Sequence, residues 1–301
     1  MEPTVVEVGP AQAGERLDRF LASRLAVSRA RVRHLLEVGR VVLAGRPLGL
    51  PDKSRIIADG DEFRILGNLR ADEERPEARP DLPLRVVAEG RGWLVVDKPP
   101  GTGVHPLRPD QRDTVLNAVV ARHPEIVGIG EGGLRSGVVH RLDVDTTGAL
   151  VFAFDEEVWR RLRGAFSDHR VDKRYLALVA GRFEKSRPVE LTLAVGRHQP
   201  AHVEVAPTGR RCRQHVTPIR KFAEATLVEV KLETGFLHQI RASMAHLGHP
   251  VVGDREYGSA ESNAIAAPRP MLHARRLVVD EVAADVALPA DFEALLAALE
   301  A

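Results

Sequence analysis

The feature that most constrains this chain is a break in its hydrophobic pattern. Residues 68–83 read NLRADEERPEARPDLP. The stretch is charged, interrupted by proline and too poor in apolar side chains to bury itself, so it is expected to be a linker. A chain of 301 residues divided there has to build two cores, a small one ahead and a large one behind. The expected divisions are a small domain at 14–66, a linker at 67–83, a large domain at 84–290 and a terminal helix at 291–301.

Composition adds limits rather than an answer. Apolar residues make up 44% and charged residues 28%, a balance that suits a folded chain. Forty-three Lys and Arg face forty-two Asp and Glu, so the net charge of +1 names no partner and charge has to be read locally. The single cysteine, Cys212, rules out an internal disulfide and fits a reducing compartment. Its arginine neighbours could lower its thiol pKa, but no partner base is implied. Residues 1–14 show no basic patch followed by an apolar run. No apolar stretch nears the ~20 residues of a membrane span. A cytoplasmic location without a membrane partner is expected.

In the small domain, Leu17, Phe20, Leu21 and Leu25 fall on one face of a short helix. A second helix is predicted from Ser28 as N-cap, with Val32, Leu35 and Leu36 on one stripe and Gly39 as C-cap. Val41 to Leu43, Arg55 to Ile57 and Glu62 to Ile65 read as strands, the last two around an Asp59-Gly60 turn. Residues 14–65 hold eleven Arg and Lys against seven Asp and Glu. Such a surplus either faces solvent or attracts phosphate. Arg29, Arg31 and Arg33 are the candidate phosphate contacts here.

From residue 84 onward short β-rich runs recur at 93–96, 149–154, 175–179, 190–195 and 226–232. Helical spacing appears at 155–166, 238–247 and 291–300. The absence of a regular strand–helix alternation predicts an α+β fold with a mixed, mainly antiparallel sheet and flanking helices.

The informative segment is Gly137-Val138-Val139-His140-Arg141-Leu142-Asp143-Val144-Asp145-Thr146-Thr147-Gly148. It places a carboxylate in a turn between two apolar runs, where positioned catalytic groups often lie. On spacing alone, the plainer reading is a turn aspartate paired with Arg141. Gly128, Gly130 and Gly133 match G-x-G-x-x-G by letter, but no helical pattern follows, so a flexible loop is expected. His238, His246 and His249 match no zinc pattern, so no metal is expected.

HRLD followed by TTG resembles the first motif of the large-ribosomal-RNA pseudouridine synthase family (RluA/RluD type), whose pattern is HRLD-x-x-TSG. Three further segments agree in order. Val95-Val96-Asp97-Lys98-Pro99 with Gly101, Val104, His105 and Pro106 is similar to the family's entry strand and turn. Lys173-Arg174-Tyr175-Leu176-Ala177 is similar to its second motif, and Thr234-Gly235-Phe236-Leu237-His238-Gln239-Ile240-Arg241 to its third. Gly253-Asp254, Tyr257-Gly258 and Leu272-His273-Ala274 also fit. The match covers about 84–277. Residues 14–66 resemble the small αL RNA-binding domain of the ribosomal small-subunit protein four type.

The resemblance implies an enzyme that isomerises uridine in RNA to pseudouridine without cofactor or metal. Asp143 is then the nucleophile, Arg241 its partner and Tyr175 the residue against the target base. Arg141, His140, Thr146, Lys173 and His238 become RNA-contacting candidates. Ribosomal RNA is the expected partner and transfer RNA the alternative substrate. Phe236 and Leu237 stand where the family has an arginine and a small or polar residue. That departure motivates a second reading, an RNA-binding or ribosome-assembly factor without catalysis. A third is a hydrolase using Asp143 and Asp145.

Overall fold

A computed structural model describes residues 3–25, 27, 29–66, 74–198 and 201–300 of the protein. It divides into two compact units, Met1–Glu74 and Arg75–Ala301.

The first unit comprises β1 (Thr4–Glu7), α1 (Leu17–Arg24), α2 (Arg29–Glu37), β2 (Val41–Leu43), β3 (Arg46–Leu48) and β4 (Glu62–Ile65). Its antiparallel sheet has the order β1-β4-β2-β3. The two helices bury Leu17, Phe20, Leu21, Val32, Leu35 and Leu36 against Phe63 and Ile65, as the helical spacing predicts. Gly39 sits at φ 68°, and the Arg40 N–H reaches back to the Leu35 carbonyl, ending α2 in a left-handed turn. The N-cap expected at Ser28 lies outside the described residues.

One expectation for this unit changes. Residues 55–57 are not a strand. They lie against the lead into α1 through a single bridge, Arg16 to Ile56, because their partner segment enters α1 at Leu17 and cannot extend a ladder. In the first turn of α1, Asp18 is fully buried and accepts hydrogen bonds from Arg29 (2.6 Å) and Arg16 (3.1 Å). Burial alone would raise its pKa, but the two guanidiniums outweigh that and hold it below the usual carboxylate range.

The second unit starts earlier than expected. Residues 67–73 lie outside the described residues, but the proposed linker is tied down from Glu77 onward. The Arg79 N–H donates to the Asn117 carbonyl at 3.0 Å, and the Asn117 amide donates to the Glu77 carbonyl at 2.8 Å. Backbone pairing replaces the apolar burial that this stretch lacks.

The strands of the second unit are β5 (Val86–Gly90), β6 (Trp93–Lys98), β7 (Thr147–Ala153), β8 (Asp172–Ala180), β9 (Arg187–His198), β10 (Ala201–Val205), β11 (Arg210–Lys221), β12 (Ala225–Leu232), β13 (Leu272–Val279) and β14 (Val282–Asp285). Its helices are α3 (Val115–Arg122), α4 (Glu156–Ser167), α5 (Gln239–His246), α6 (Ala260–Ala264) and α7 (Ala290–Ala298). The sheet runs β10-β9-β11-β12-β8-β13-β7-β6-β5, with β14 also on β13. Among the described residues only the β13–β7 pairing is parallel, so the sheet is mixed and mainly antiparallel within an α+β fold.

Successive residues of β6 and β7 alternate between two cores, as strands covered on both faces must. Trp93, Val95 and Val151 pack with Leu162 of α4, whereas Leu94, Val96 and Phe152 pack with Leu116 and Val119 of α3. Across the sheet, Tyr175, Ala177 and Val179 of β8 face Ile240 and Met244 of α5. Leu176 and Leu178 face Phe292 and Leu296 of α7. Asp155 caps α4 by accepting the N–H groups of Glu157 and Val158 at 2.9 and 3.0 Å.

The G-x-G-x-x-G lookalike is a held loop rather than a flexible one. Ser136 accepts the Gly128 N–H at 2.9 Å, and a side chain at Gly130 would strike the Trp159 ring.

Candidate active site

The segment entering β7 makes a tight turn. The Thr146 N–H donates to the Asp143 carbonyl at 3.1 Å, leaving Val144 at the tip, 52% exposed. Two cations grip the backbone of this turn. Lys98, fully buried at the end of β6, donates to the Val144 carbonyl at 2.6 Å and to the Pro99 carbonyl at 2.8 Å. Arg269 donates to the Asp145 carbonyl at 3.2 Å and is itself held by Asp291 at 2.8 and 2.9 Å. Burial pulls the Lys98 pKa down to about 8, against the fields of Asp145 and Asp143.

Below the turn, the Thr147 hydroxyl meets His273 Nδ1 at 2.9 Å, while His273 Nε2 faces the Val286 carbonyl at 3.1 Å. The carbonyl can only accept, so Nε2 carries the proton and Thr147 is the donor. Gly148 follows at φ 108°, where an added Cβ would lie 2.2 Å from the Ala274 carbonyl oxygen. Only glycine lets β7 and β13 approach this closely.

Asp143 turns away from Arg141 and toward α5. Its Oδ2 lies 3.3 Å from Arg241 Nη1, and its side chain is 25% exposed. The expected pairing with Arg141 is therefore corrected: Arg141 is exposed and forms no ion pair among the described residues. Arg241 is chiefly anchored elsewhere. Its Nε and Nη2 form a forked pair with buried Asp254 at 2.6 and 2.8 Å. Asp254 also accepts the N–H groups of Glu256 and Tyr257 at 3.0 and 3.2 Å. Burial works against the guanidinium's charge, but Asp254 and then Asp143 outweigh it and raise its pKa above the ordinary value.

Tyr175 is buried on the face of β8 that packs against α5. Burial, and then the charge of Asp143, raise its hydroxyl pKa above the ordinary value, so the phenol is neutral at neutral pH. His238 caps α5 in a left-handed conformation (φ 50°, ψ 21°), with Nδ1 2.9 Å from the Tyr257 hydroxyl. Burial lowers its pKa despite the nearby Asp143 carboxylate.

Other candidates are placed differently. The His140 ring stacks on Phe166 at 4.6 Å and its Nε2 accepts the Val151 N–H at 3.2 Å. Burial, with help from Lys173 and Arg163, pushes its pKa down to about 3, so it is a neutral packing group. Lys173 is buried too; its ammonium lies 3.4 Å from the Thr234 carbonyl and over the Phe166 ring, and burial brings its pKa to about 8. The Thr146 side chain is buried, and its backbone closes the Asp143 turn. Phe236 and Leu237 pack against the cluster of Leu193, Val203 and Cys212.

Burial raises the Cys212 pKa and outweighs the lowering by the nearby Arg210 charge. In the first unit, Arg29 pairs with Asp18, Arg31 is buried and Arg33 is exposed.

The structure thus gathers Asp143, Arg241, Tyr175 and His238. It adds Asp254, Tyr257, Lys98 and Arg269, to which the sequence reading assigned no role. Gly253-Asp254, Tyr257-Gly258 and Asp97-Lys98 stood in recognisable segments, but no local spacing ties them to Arg241 or to the turn. Nothing in the sequence marked Arg269. Among the described residues no group of three His, Cys, Asp or Glu side chains is arranged to hold a metal. Nor is any helix among them long and apolar enough to cross a membrane.

The arrangement offers a partly exposed carboxylate fixed by a permanently charged guanidinium, beside a neutral aromatic residue. Such a carboxylate can act as a nucleophile or accept a proton.

Residues 92–246 match the family model described as RNA pseudouridylate synthase. An uncharacterized RNA pseudouridine synthase of Chloroflexus aurantiacus is 37% identical over 92% of this chain and 85% of its own length. The ribosomal large subunit pseudouridine synthase D of Vibrio parahaemolyticus is 36% identical over 83% of this chain and 75% of its own. Among solved structures, human RNA pseudouridylate synthase domain containing 1 superposes with a TM-score of 0.56 at 25% identity, covering 73% of this chain and 95% of that one.

Proposed function

Because this chain belongs to the RNA pseudouridylate synthase family, we propose that it isomerises specific uridines of large-subunit ribosomal RNA, with Asp143 as nucleophile and the target base flipped out of its stack. The observation that carries the proposal is the ion pair of Asp143 with Arg241 at 3.3 Å, on a turn whose neighbouring carbonyls are gripped by Lys98 and Arg269.

The reaction breaks the bond from ribose C1′ to uracil N1 and makes the bond from C1′ to C5. The C5 proton leaves and N1 ends protonated, so no atoms or electrons are gained or lost. A nucleophilic carboxylate has to stay ionised and aimed while the base turns. Arg241 serves both needs, because its fork to Asp254 leaves Nη1 for Asp143. Tyr175 offers the extruded base an aromatic surface, worth roughly 1–3 kcal/mol per stacked base. Its phenol is neutral, so proton removal from C5 through it would require its own proton to move on at the same time.

The ribosomal substrate is inferred from relatives such as the Vibrio parahaemolyticus protein, whose name specifies the large ribosomal subunit. Residues 14–65, with eleven Arg and Lys against seven Asp and Glu, support it by supplying cations for phosphate.

Asp143→Ala is expected to lower tritium release from RNA carrying [5-³H]uridine by at least about 10³-fold while RNA binding is kept. Release by the variant at the wild-type rate would overturn the nucleophile assignment. Mapping pseudouridines in cells lacking the gene tests the substrate. Sites missing only from transfer RNA would overturn the ribosomal reading.

A further inference from the structure

Tyr257 has no part in the chemistry above, yet four groups converge on it. Its hydroxyl lies 2.8 Å from the Val203 backbone nitrogen and 2.9 Å from His238 Nδ1. Its ring lies 5.1 Å from the Arg241 guanidinium carbon, and His202 stacks on it at 4.9 Å.

Hydrogen-bond accounting then settles a tautomer. The Val203 N–H can only donate, so the phenol oxygen accepts it. The phenol's own hydrogen has His238 Nδ1 as its acceptor among the described residues. If Nδ1 carried the proton instead, that phenol hydrogen would be left unmatched in a half-buried place, which is costly. The neutral His238 ring therefore holds its proton on Nε2. The same bond ties down a histidine whose left-handed backbone L side chains adopt only when they are held.

We propose that Tyr257 is a positioning residue for the Asp143–Arg241 pair, its hydroxyl fixing His238 as the Nε2–H tautomer and its ring seating the Arg241 guanidinium. The inference rests on the reading of Asp143 as the nucleophile. Through Val203 it also makes the hairpin of β9 and β10 part of the support of Arg241.

The test combines spectroscopy with single-turnover kinetics. In protein labelled with ¹⁵N-histidine, long-range proton–nitrogen correlation should show His238 protonated at Nε2, the signal being assigned by its loss in His238→Gln. Tyr257→Phe keeps the ring and removes the hydroxyl. It should shift His238 toward the Nδ1–H form and slow tritium release at saturating RNA about tenfold, the effect of one lost hydrogen bond, with RNA affinity within about twofold. Tyr257→Leu, lacking the ring as well, should be slower still.

An Nδ1–H tautomer in the wild-type protein overturns the proposal, and that spectrum decides the matter even if the two Tyr257 variants do not fold. A wild-type rate in Tyr257→Phe, or a loss confined to RNA affinity, also overturns it. Activity retained in Asp143→Ala would instead sink the nucleophile reading. An inactive Asp143→Ala beside a fully active Tyr257→Phe would sink this inference alone.

Discussion

At the scale of single residues, the site depends on how one guanidinium is divided between two carboxylates. Arg241 gives its short, forked contact to Asp254, which is fully buried, and a longer single contact to Asp143, which is partly exposed. The buried carboxylate sets the position, and the exposed one remains available to substrate. Asp254→Asn should separate these duties. It leaves a buried guanidinium with Asp143 as its one charged partner, and unfolding in urea should show a loss of about 3–5 kcal/mol, as when one member of a buried pair is removed. Tritium release should fall as well, although Asp143 is untouched. Unchanged stability and rate in that variant would show that Asp143 alone holds Arg241.

At the scale of elements, the decisive contact is the parallel approach of β7 and β13. Gly148 permits it, because its φ of 108° and the Ala274 carbonyl 2.2 Å from an added Cβ both exclude a side chain. Gly148→Ala is expected to destabilise the second unit by more than the roughly 1–3 kcal/mol of backbone strain alone. The turn that carries Asp143 leads directly into this residue, so activity should fall with stability. Urea unfolding and tritium release of the same preparation check both. In the first unit the corresponding device is the buried Asp18 with Arg29 and Arg16. Its folded pKa lies below its unfolded value of about 3.9, so its contribution is present above that pH and is lost as the pH falls through the folded pKa.

At the scale of the whole molecule, two buried lysines leave a signature in the dependence of stability on pH. Burial brings Lys98 and Lys173 to about 8, whereas an unfolded lysine titrates near 10.4. Between those values the unfolded chain binds more protons than the folded one, so these groups make stability rise with pH. Each should add on the order of 1–2 kcal/mol between pH 8 and pH 9.5. Urea unfolding of the wild type and of Lys98→Met at both pH values isolates one of them, because contributions such as the raised Cys212 thiol cancel. An identical slope in the two proteins would contradict the buried, depressed state of Lys98.

The amino-acid sequence by itself determined the α+β class, most element positions and the chemical types at the site. The class and the element positions follow from local periodicity and turn residues, whereas Asp143, Tyr175 and Arg241 stood out through the resemblance of their segments to the family's motifs. Tertiary structure decided who meets whom. Asp143 and Arg241 are 98 positions apart, and their contact depends on the order and register of the strands between them. The same register turned His140 and Lys173 inward onto Phe166 and brought Asp254 and Tyr257 to Arg241. It also left Arg141 exposed, away from the neighbouring carboxylate that local spacing had offered it. Periodicity encodes which face a residue takes within its own element. Pairing between distant charges depends instead on how whole elements pack, and no local pattern carries that information.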